Sequence, residues 1–348
     1  MTSSGTVNNM AKFLFVILVI ACILFGFDRI VYATELGDGS IVIEGQVING
    51  TDGSNDVSGI TVVLHRVGTN DFHSLDAVTD QYGLFKFNDV VPYDDSFYAI
   101  AVDYMGALYV EVVDFSSNSK DLVTVTIYDS IDNDEILSVT SMEIMFSLAD
   151  VDNRTIWAWE IVNISNISDT TYVPGRDPMN LLRFGLPSGS TGLYVDTDLL
   201  GSDVIQVDLG FGITASVPPG DHKVMYAYQF PYDGDSIAIE KSLTYGSNLV
   251  RVLALPDLGI LSSSYLGTAD LVDIGQSSYQ LLSWEDQPRG SNISISIEGL
   301  PKPSVIDSAI WLLSFIKIQH IALAGMGTLM AGLIVGSFLR RRYISQSN

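Results

Sequence analysis

The sequence predicts an all-β body of two tandem β-sandwiches, exported behind a cleaved signal peptide and held by one C-terminal transmembrane helix. Three observations predict this. Strand-length apolar runs recur from Ser40 to Pro301, a short apolar run lies near the start, and a longer uncharged run lies near the end.

Within the body, IVIEGQVI, GITVVLHRV, FYAIAVDY, LYVEVV and LVTVTIY are rich in β-branched and aromatic residues. They alternate or run apolar between Gly, Asp, Asn and Pro punctuation, as half-buried and buried strands do. No stretch keeps a helical period. Short strands at this spacing suit sandwiches better than a parallel α/β sheet. The polar, acidic segment Tyr128–Ser138 lies between apolar regions and divides a first domain, 40–129, from a second, 138–300. Glu298–Ser304, EGLPKPS, then leads toward the membrane.

Lys12 precedes FLFVILVIACILFGF, residues 13–27, and Val31-Tyr32-Ala33 follows after a short gap. A basic start, an apolar core and small residues at −3 and −1 make residues 1–33 a signal peptide, cut after Ala33. At about 1.5 Å per residue the apolar run spans roughly 22 Å, short of a hydrocarbon core of about 30 Å. Two alternatives remain open: an uncleaved anchor, and lipidation of Cys22. Val19-Ile20-Ala21-Cys22 loosely fits a lipobox, but the apolar run continues beyond it.

Ile321–Leu339 has 19 uncharged residues, enough to span a bilayer. Arg340-Arg341-Arg342 follows at once, so residues 340–348 are expected to be a cytoplasmic tail. The expected location is therefore the plasma membrane, single-pass, with the body extracytoplasmic. Trp311, Lys317 and His320 fall where the outer interface would be. Gly332 and Gly336 form a G-x-x-x-G pattern that lets helices pack closely, although glycine is also common in membrane helices.

The formal net charge is −24, and from Thr34 to Pro301 there are 10 Lys and Arg against 39 Asp and Glu. This argues against nucleic acid, whose phosphates need clustered cations, and against docking of the body on anionic lipid. Cys22 is the only cysteine, so the body has no disulfide, thiolate metal site or thiol nucleophile.

The stretch VTDQYGLFKFNDV, Val78–Val90, reads as a hairpin. Asp80 caps the turn through its side chain and Gly83 supplies a positive φ. Phe85 and Phe87 point to one buried face and Lys86 to the other. With IEGQVIN (Ile43–Asn49) and SGITVVL (Ser58–Leu64), the pattern T-D-x-x-G-x-F-x-F-x-x-V resembles the carboxypeptidase regulatory-like family. The resemblance covers Ser40–Tyr128. It implies a transthyretin-like, seven-stranded sandwich related to carbohydrate-binding folds, and a structural or binding module rather than a given chemistry. Related collagen-adhesin sandwiches carry an isopeptide from a first-strand lysine. IVIEGQVI has no lysine, so that cross-link does not carry over to this domain. In the second domain, LRFGLPSG (Leu182–Gly189) and SVPPGDHKVMYAYQFPY (Ser216–Tyr232) resemble pieces of bacterial membrane-anchored ectodomains of unassigned role.

Few motifs carry chemistry. Gly210–Ala215 fits G-x-G-x-x-A, but Pro218-Pro219-Gly220 follows where a phosphate-binding helix must begin, so a glycine-bent strand is expected. His65, His73, His222 and His320 show no metal-ligand spacing, and His222 reads as a solvated loop histidine. No cofactor is expected beyond one option, a Ca²⁺ on Asp132, Asp134 and Glu135 that would stiffen the interdomain segment; a solvated acidic loop is the alternative. A second acidic loop holds Asp196, Asp198 and Asp203. Trp157 and Trp159 share one strand face, and Tyr226 and Tyr228 another. These four residues either fill the core or stack on sugar rings. N-x-[ST] sequons occur at Asn49, Asn153, Asn163, Asn166 and Asn292.

Two function classes follow. One is a non-enzymatic surface module that binds a membrane protein partner or a glycan. The other is a hydrolase with carboxylates from scattered loops, since a two-carboxylate glycosidase leaves no local motif.

Overall fold

The computed structural model describes residues 34–301 apart from 37–38, 69–71, 94–95, 114–121, 176–179 and 208. The predicted signal peptide, the 321–339 helix with Gly332 and Gly336, and the tail lie outside the described residues. Among the described residues the protein is all-β, with no helix long and apolar enough to cross a membrane.

The first eight strands are β1 (Thr34–Leu36), β2 (Ser40–Asn49), β3 (Thr61–Val67), β4 (Phe72–Val78), β5 (Leu84–Val90), β6 (Phe97–Tyr104), β7 (Ala107–Val113) and β8 (Val123–Ile127). They form two four-stranded sheets. In one, β2 pairs with β5 on one edge and with β1 and then β8 on the other; the second runs β4-β3-β6-β7. Ile43, Val47, Phe85 and Phe87 from the first sheet share a buried core with Val62, Leu64, Ile100 and Val102 from the second. Fully burying a side chain of this size contributes about 1.5–3 kcal/mol.

The Asp80–Gly83 turn is built as its residues dictate. Asp80 Oδ1 accepts from the Tyr82 and Leu84 amides at 2.8 and 2.9 Å. Gly83 has φ 77°, and a Cβ there would sit 2.2 Å from the Val47 carbonyl oxygen. The expected hairpin is corrected, however. β4 pairs only with β3, and β5 with β2, so the turn carries the chain from one sheet to the other. The cause is nonlocal: the Gly83 carbonyl accepts from the Val47 amide at 2.8 Å, which docks the turn on β2.

The remaining strands are β9 (Ser130–Ile131), β10 (Leu137–Asp150), β11 (Thr155–Asn166), β12 (Thr171–Tyr172), β13 (Leu182–Gly185), β14 (Thr191–Thr197), β15 (Val204–Val207), β16 (Gly210–Ile213), β17 (Gly220–Pro231), β18 (Ser236–Leu243), β19 (Ser247–Ala254), β20 (Ile260–Ser263), β21 (Gly267–Thr268), β22 (Asp270–Ile274), β23 (Ser277–Gln287) and β24 (Ser291–Glu298). A seven-stranded sheet runs β14-β17-β11-β10-β19-β23-β22, antiparallel except for β10 with β19. A three-stranded sheet, β13-β16-β15, and a four-stranded sheet, β18-β24-β20-β21, close over one face of it. Ile144, Phe146, Ile156, Val162, Val250 and Val252 of the large sheet meet Phe184, Phe211, Ile239 and Ile295 of the small ones in a second core.

The segment between the two cores is tied down by hydrogen bonds. β9 pairs with β12, and the Thr171 and Val173 amides donate to the Asp129 and Ile131 carbonyls at 2.9 Å each. Tyr109 Oη lies 2.7 Å from Thr171 Oγ1, and Thr51 Oγ1 donates to the Asp169 carbonyl at 2.8 Å. The Asp129 carboxylate accepts from Asn49 Nδ2 at 2.9 Å and from Tyr104 Oη at 3.1 Å. The Asn49 bond leads the effects that hold the Asp129 carboxyl below its usual range. Val173 packs on the first core, and Leu200 on the outer side of Ala99.

Candidate functional site

On β11, Ile156, Ala158, Glu160, Val162 and Ile164 face inward and are buried. Glu160 is the one charge in that row, and it is 0% exposed. Lys241 of β18, 4% exposed, reaches it from the facing sheet, with Nζ 2.6 Å from Oε2. Tyr226 Oη donates to Oε2 at 2.5 Å and Tyr228 Oη to Oε1 at 2.6 Å. Lys241 Nζ also donates to the Gly185 carbonyl at 2.8 Å and to Tyr226 Oη at 3.2 Å. Phe184 and Phe211 close the sides, with ring centroids 5.5 and 4.9 Å from that of Tyr226.

Two ions taken from water into such a core repay their desolvation only with good geometry and further hydrogen bonds. Both are present. Burial, and then the Glu160 charge, push the Tyr226 and Tyr228 hydroxyls well above the ordinary tyrosine range. They therefore stay protonated as donors. A cavity of about 10 Å³ adjoins the cluster, lined by Met142, Arg183, Phe184, Tyr226, Lys241 and Tyr245. That is room for about one water. Neither Glu160 nor Lys241 stands out in the sequence, although in SIAIEKSL the alternation of Ile239, Lys241 and Leu243 already puts the lysine on the apolar face.

The opposite face of the seven-stranded sheet carries a continuous apolar row. Cross-strand register aligns Tyr194 with Ala227, Ala227 with Trp159, Trp159 with Met145, Met145 with Leu253, and Leu253 with Leu281. Tyr194 is 58% exposed. Trp159, Met145 and Leu281 are half-buried, whereas Ala227 and Leu253 are covered by their neighbours. Beside the row, Arg251 Nη2 meets Glu143 Oε1 at 2.6 Å, and Trp157 is 37% exposed.

The four predicted aromatic ligands thus separate. Tyr226 and Tyr228 are 0% and 1% exposed, so the sugar-stacking option is corrected for both: their rings fill the core and their hydroxyls serve Glu160. Trp157 and Trp159 face outward, because β11 turns alternate residues to opposite sides. The calcium option is corrected too. Asp134 Oδ1 accepts from Arg289 Nη2 at 2.6 Å, Glu135 bonds to Asn133, and Asp132 is exposed. Among the described residues no three acidic, His or Cys side chains gather as a metal site. The segment is stiffened by β9, β12 and Arg289 instead.

Gly210–Ile213 is a strand, and a Cβ on Gly210 would lie 2.1 Å from the Phe184 carbonyl oxygen. His222, expected in a solvated loop, begins β17 half-buried, with Nε2 2.9 Å from the Pro218 carbonyl and Nδ1 3.9 Å from Asp198. Four sequon amides are already engaged: Asn49 Nδ2 with Ser54 and Asp129, Asn153 Nδ2 with Asp150, Asn163 Nδ2 with Ser141, and Asn166 Nδ2 with the Thr170 and Val217 carbonyls.

No protein-family model and no curated protein matches the sequence. Among solved structures, 46% of this chain is similar to 42% of the chain of an M1 zinc metallopeptidase from Deinococcus radiodurans, at 12% identity and a TM-score of 0.29. A mutant of that peptidase gives 11% identity and a TM-score of 0.30 over the same shares. The chain therefore spans less than half the length of these peptidases, and at such scores the likeness carries no argument about fold or activity.

Proposed function

We propose that the chain is a non-enzymatic, single-pass membrane protein whose two extracytoplasmic β-sandwiches dock a partner protein in a membrane or cell-surface complex. The row from Tyr194 to Leu281 carries this reading. Interface centres are enriched in Tyr, Trp, Met and Arg and are ringed by polar groups. The row supplies the aromatics and Met145, and the Glu143–Arg251 pair borders it. In this reading the first sandwich is the transthyretin-like form of the carboxypeptidase regulatory-like family, with Asp80 and Gly83 at its motif turn. The signal peptide, the 321–339 helix paired through Gly332 and Gly336, and the tail rest on the sequence alone. A non-catalytic role is supported by where the carboxylates are spent: Glu160 on Lys241 and two tyrosines beside a one-water cavity, Asp134 on Arg289.

The test is crosslinking and co-purification of the full-length protein from its native membrane, beside a Tyr194→Ala/Trp159→Ala variant. A protein partner recovered with the parent and lost with the folded variant is expected. Recovery of the chain alone, with glycan binding by the ectodomain that disappears in Trp157→Ala, overturns it in favour of a carbohydrate-binding surface protein.

A further inference from the structure

We infer that Glu160 and Lys241 condense to an isopeptide bond that staples the seven-stranded sheet to the four-stranded sheet over it. Nζ and Oε2 are 2.6 Å apart, and both side chains are at least nine-tenths buried. In water, condensing an amine with a carboxylate is opposed because both ions are well solvated. In this core that solvation is gone. An uncondensed pair keeps two desolvated charges, while an amide keeps none and expels one water.

The groups around the pair match the needs of the step. Nζ passes one proton to Oε2, leaving an amine and a carboxylic acid. The Nζ lone pair then bonds to the Glu160 carboxyl carbon, and the C=O π pair moves onto Oε1. Tyr228 Oη, 2.6 Å from Oε1, donates to that oxyanion. Tyr226 Oη bonds to Oε2 and lies 3.2 Å from Nζ, so it can hand Oε2 its own proton while taking the next one from Nζ. Oε2 departs as water with the electron pair of its C–O bond, and the C=O re-forms as an amide. The adjoining cavity has room for about one water. The Gly185 carbonyl, 2.8 Å from Nζ, accepts the hydrogen that the amide retains. No oxidant, metal or second substrate is consumed. The body has no cysteine, so this bond is a covalent tie between its sheets that needs no thiol.

The test is a denatured tryptic map of the full-length protein by mass spectrometry. Cleavage after Arg154 and Arg176 releases the peptide with Glu160; cleavage after Lys223, Lys241 and Arg251 brackets Lys241. The expected product joins 155–176 to 224–251, uncut at Lys241, at the summed mass less one water. Lys241→Arg, which keeps the charge but resists condensation, is expected to return linear peptides. If the parent protein itself gives a free 155–176 peptide and cleavage at Lys241, the pair is ionic only and the inference is overturned. The parent map decides this even if the variant does not fold.

Discussion

On the inner face of β11, Ile156, Ala158, Val162 and Ile164 surround Glu160 in a sealed core, while on the outer face Trp157 and Trp159 meet solvent. The strand therefore puts its charge inside and its largest apolar rings outside, the reverse of what solubility alone favours. Before the pair condenses, the inner charge is tolerated because a lysine and two hydroxyls from neighbouring strands satisfy it. The outer rings are spread along a register row in which Ala227 and Leu253 are shielded by their neighbours. Hydrophobicity alone does not sort residues here; the partners that pairing and packing bring to each position do.

The largest expected effect breaks the inner side. Lys241→Ala leaves Glu160 buried without its cation and is expected to cost about 3–5 kcal/mol. Urea unfolding checks this, and a loss below about 1 kcal/mol would mean that water reaches the site. Tyr228→Phe removes only one donor from Oε1, and the expected loss is about 1–3 kcal/mol, the cost of an unsatisfied buried acceptor. An unchanged midpoint would show that Oε1 finds another donor.

Alkaline pH sharpens the same contrast. Tyr226 and Tyr228 hold their protons in the fold, whereas the unfolded chain's tyrosines ionise near pH 10, roughly. Burial also raises Tyr104, to about 12. The folded pKa values lie above the unfolded ones, so this stability is complete below about pH 10 and falls as pH rises above it. Melting temperatures from pH 9 to pH 11, roughly, should drop, and less steeply in Tyr228→Phe. A flat profile in the parent would contradict the buried hydroxyl pair.

The outer face should respond least. Trp157→Ala is expected to cost about 1–2 kcal/mol, because the ring is 37% exposed on the outer face and its loss leaves no cavity in the core. Arg251→Gln loses a partly exposed ion pair, about 1 kcal/mol or less, and added salt should narrow the difference from the parent. Either variant unfolding at moderate denaturant would make the outer row a structural element rather than a docking face.

Much of the fold was legible because strand signals are local. β-Branched runs, Asp80 with Gly83, and Phe85 with Phe87 at a two-residue spacing all act within a few residues of themselves. The described residues form two buried clusters; along the chain the buried members of one end at Ile127 and those of the other begin at Leu137. The site was less legible. Across Ile156–Val162, IWAWEIV, both alternating sets are apolar apart from Glu160, so this stretch does not say which one faces in. Tyr226 and Tyr228 read as core or as platform, because alternation alone does not say which face of their strand is covered. Asp134 looked like a metal ligand because its partner, Arg289, lies 155 positions away.

By itself the sequence determined the all-β class, the positions of β2, β3, β5, β6, β7 and β8, and the sharp turn at Gly83, since these depend on backbone preference and period-two alternation. Only the tertiary structure decided that this turn crosses between sheets and that Glu160 meets Lys241. It also decided that six strands align Tyr194 through Leu281 in one row. Each of those is a pairing between distant segments, fixed by which hydrogen-bond ladders and cores close together, and no local propensity encodes it.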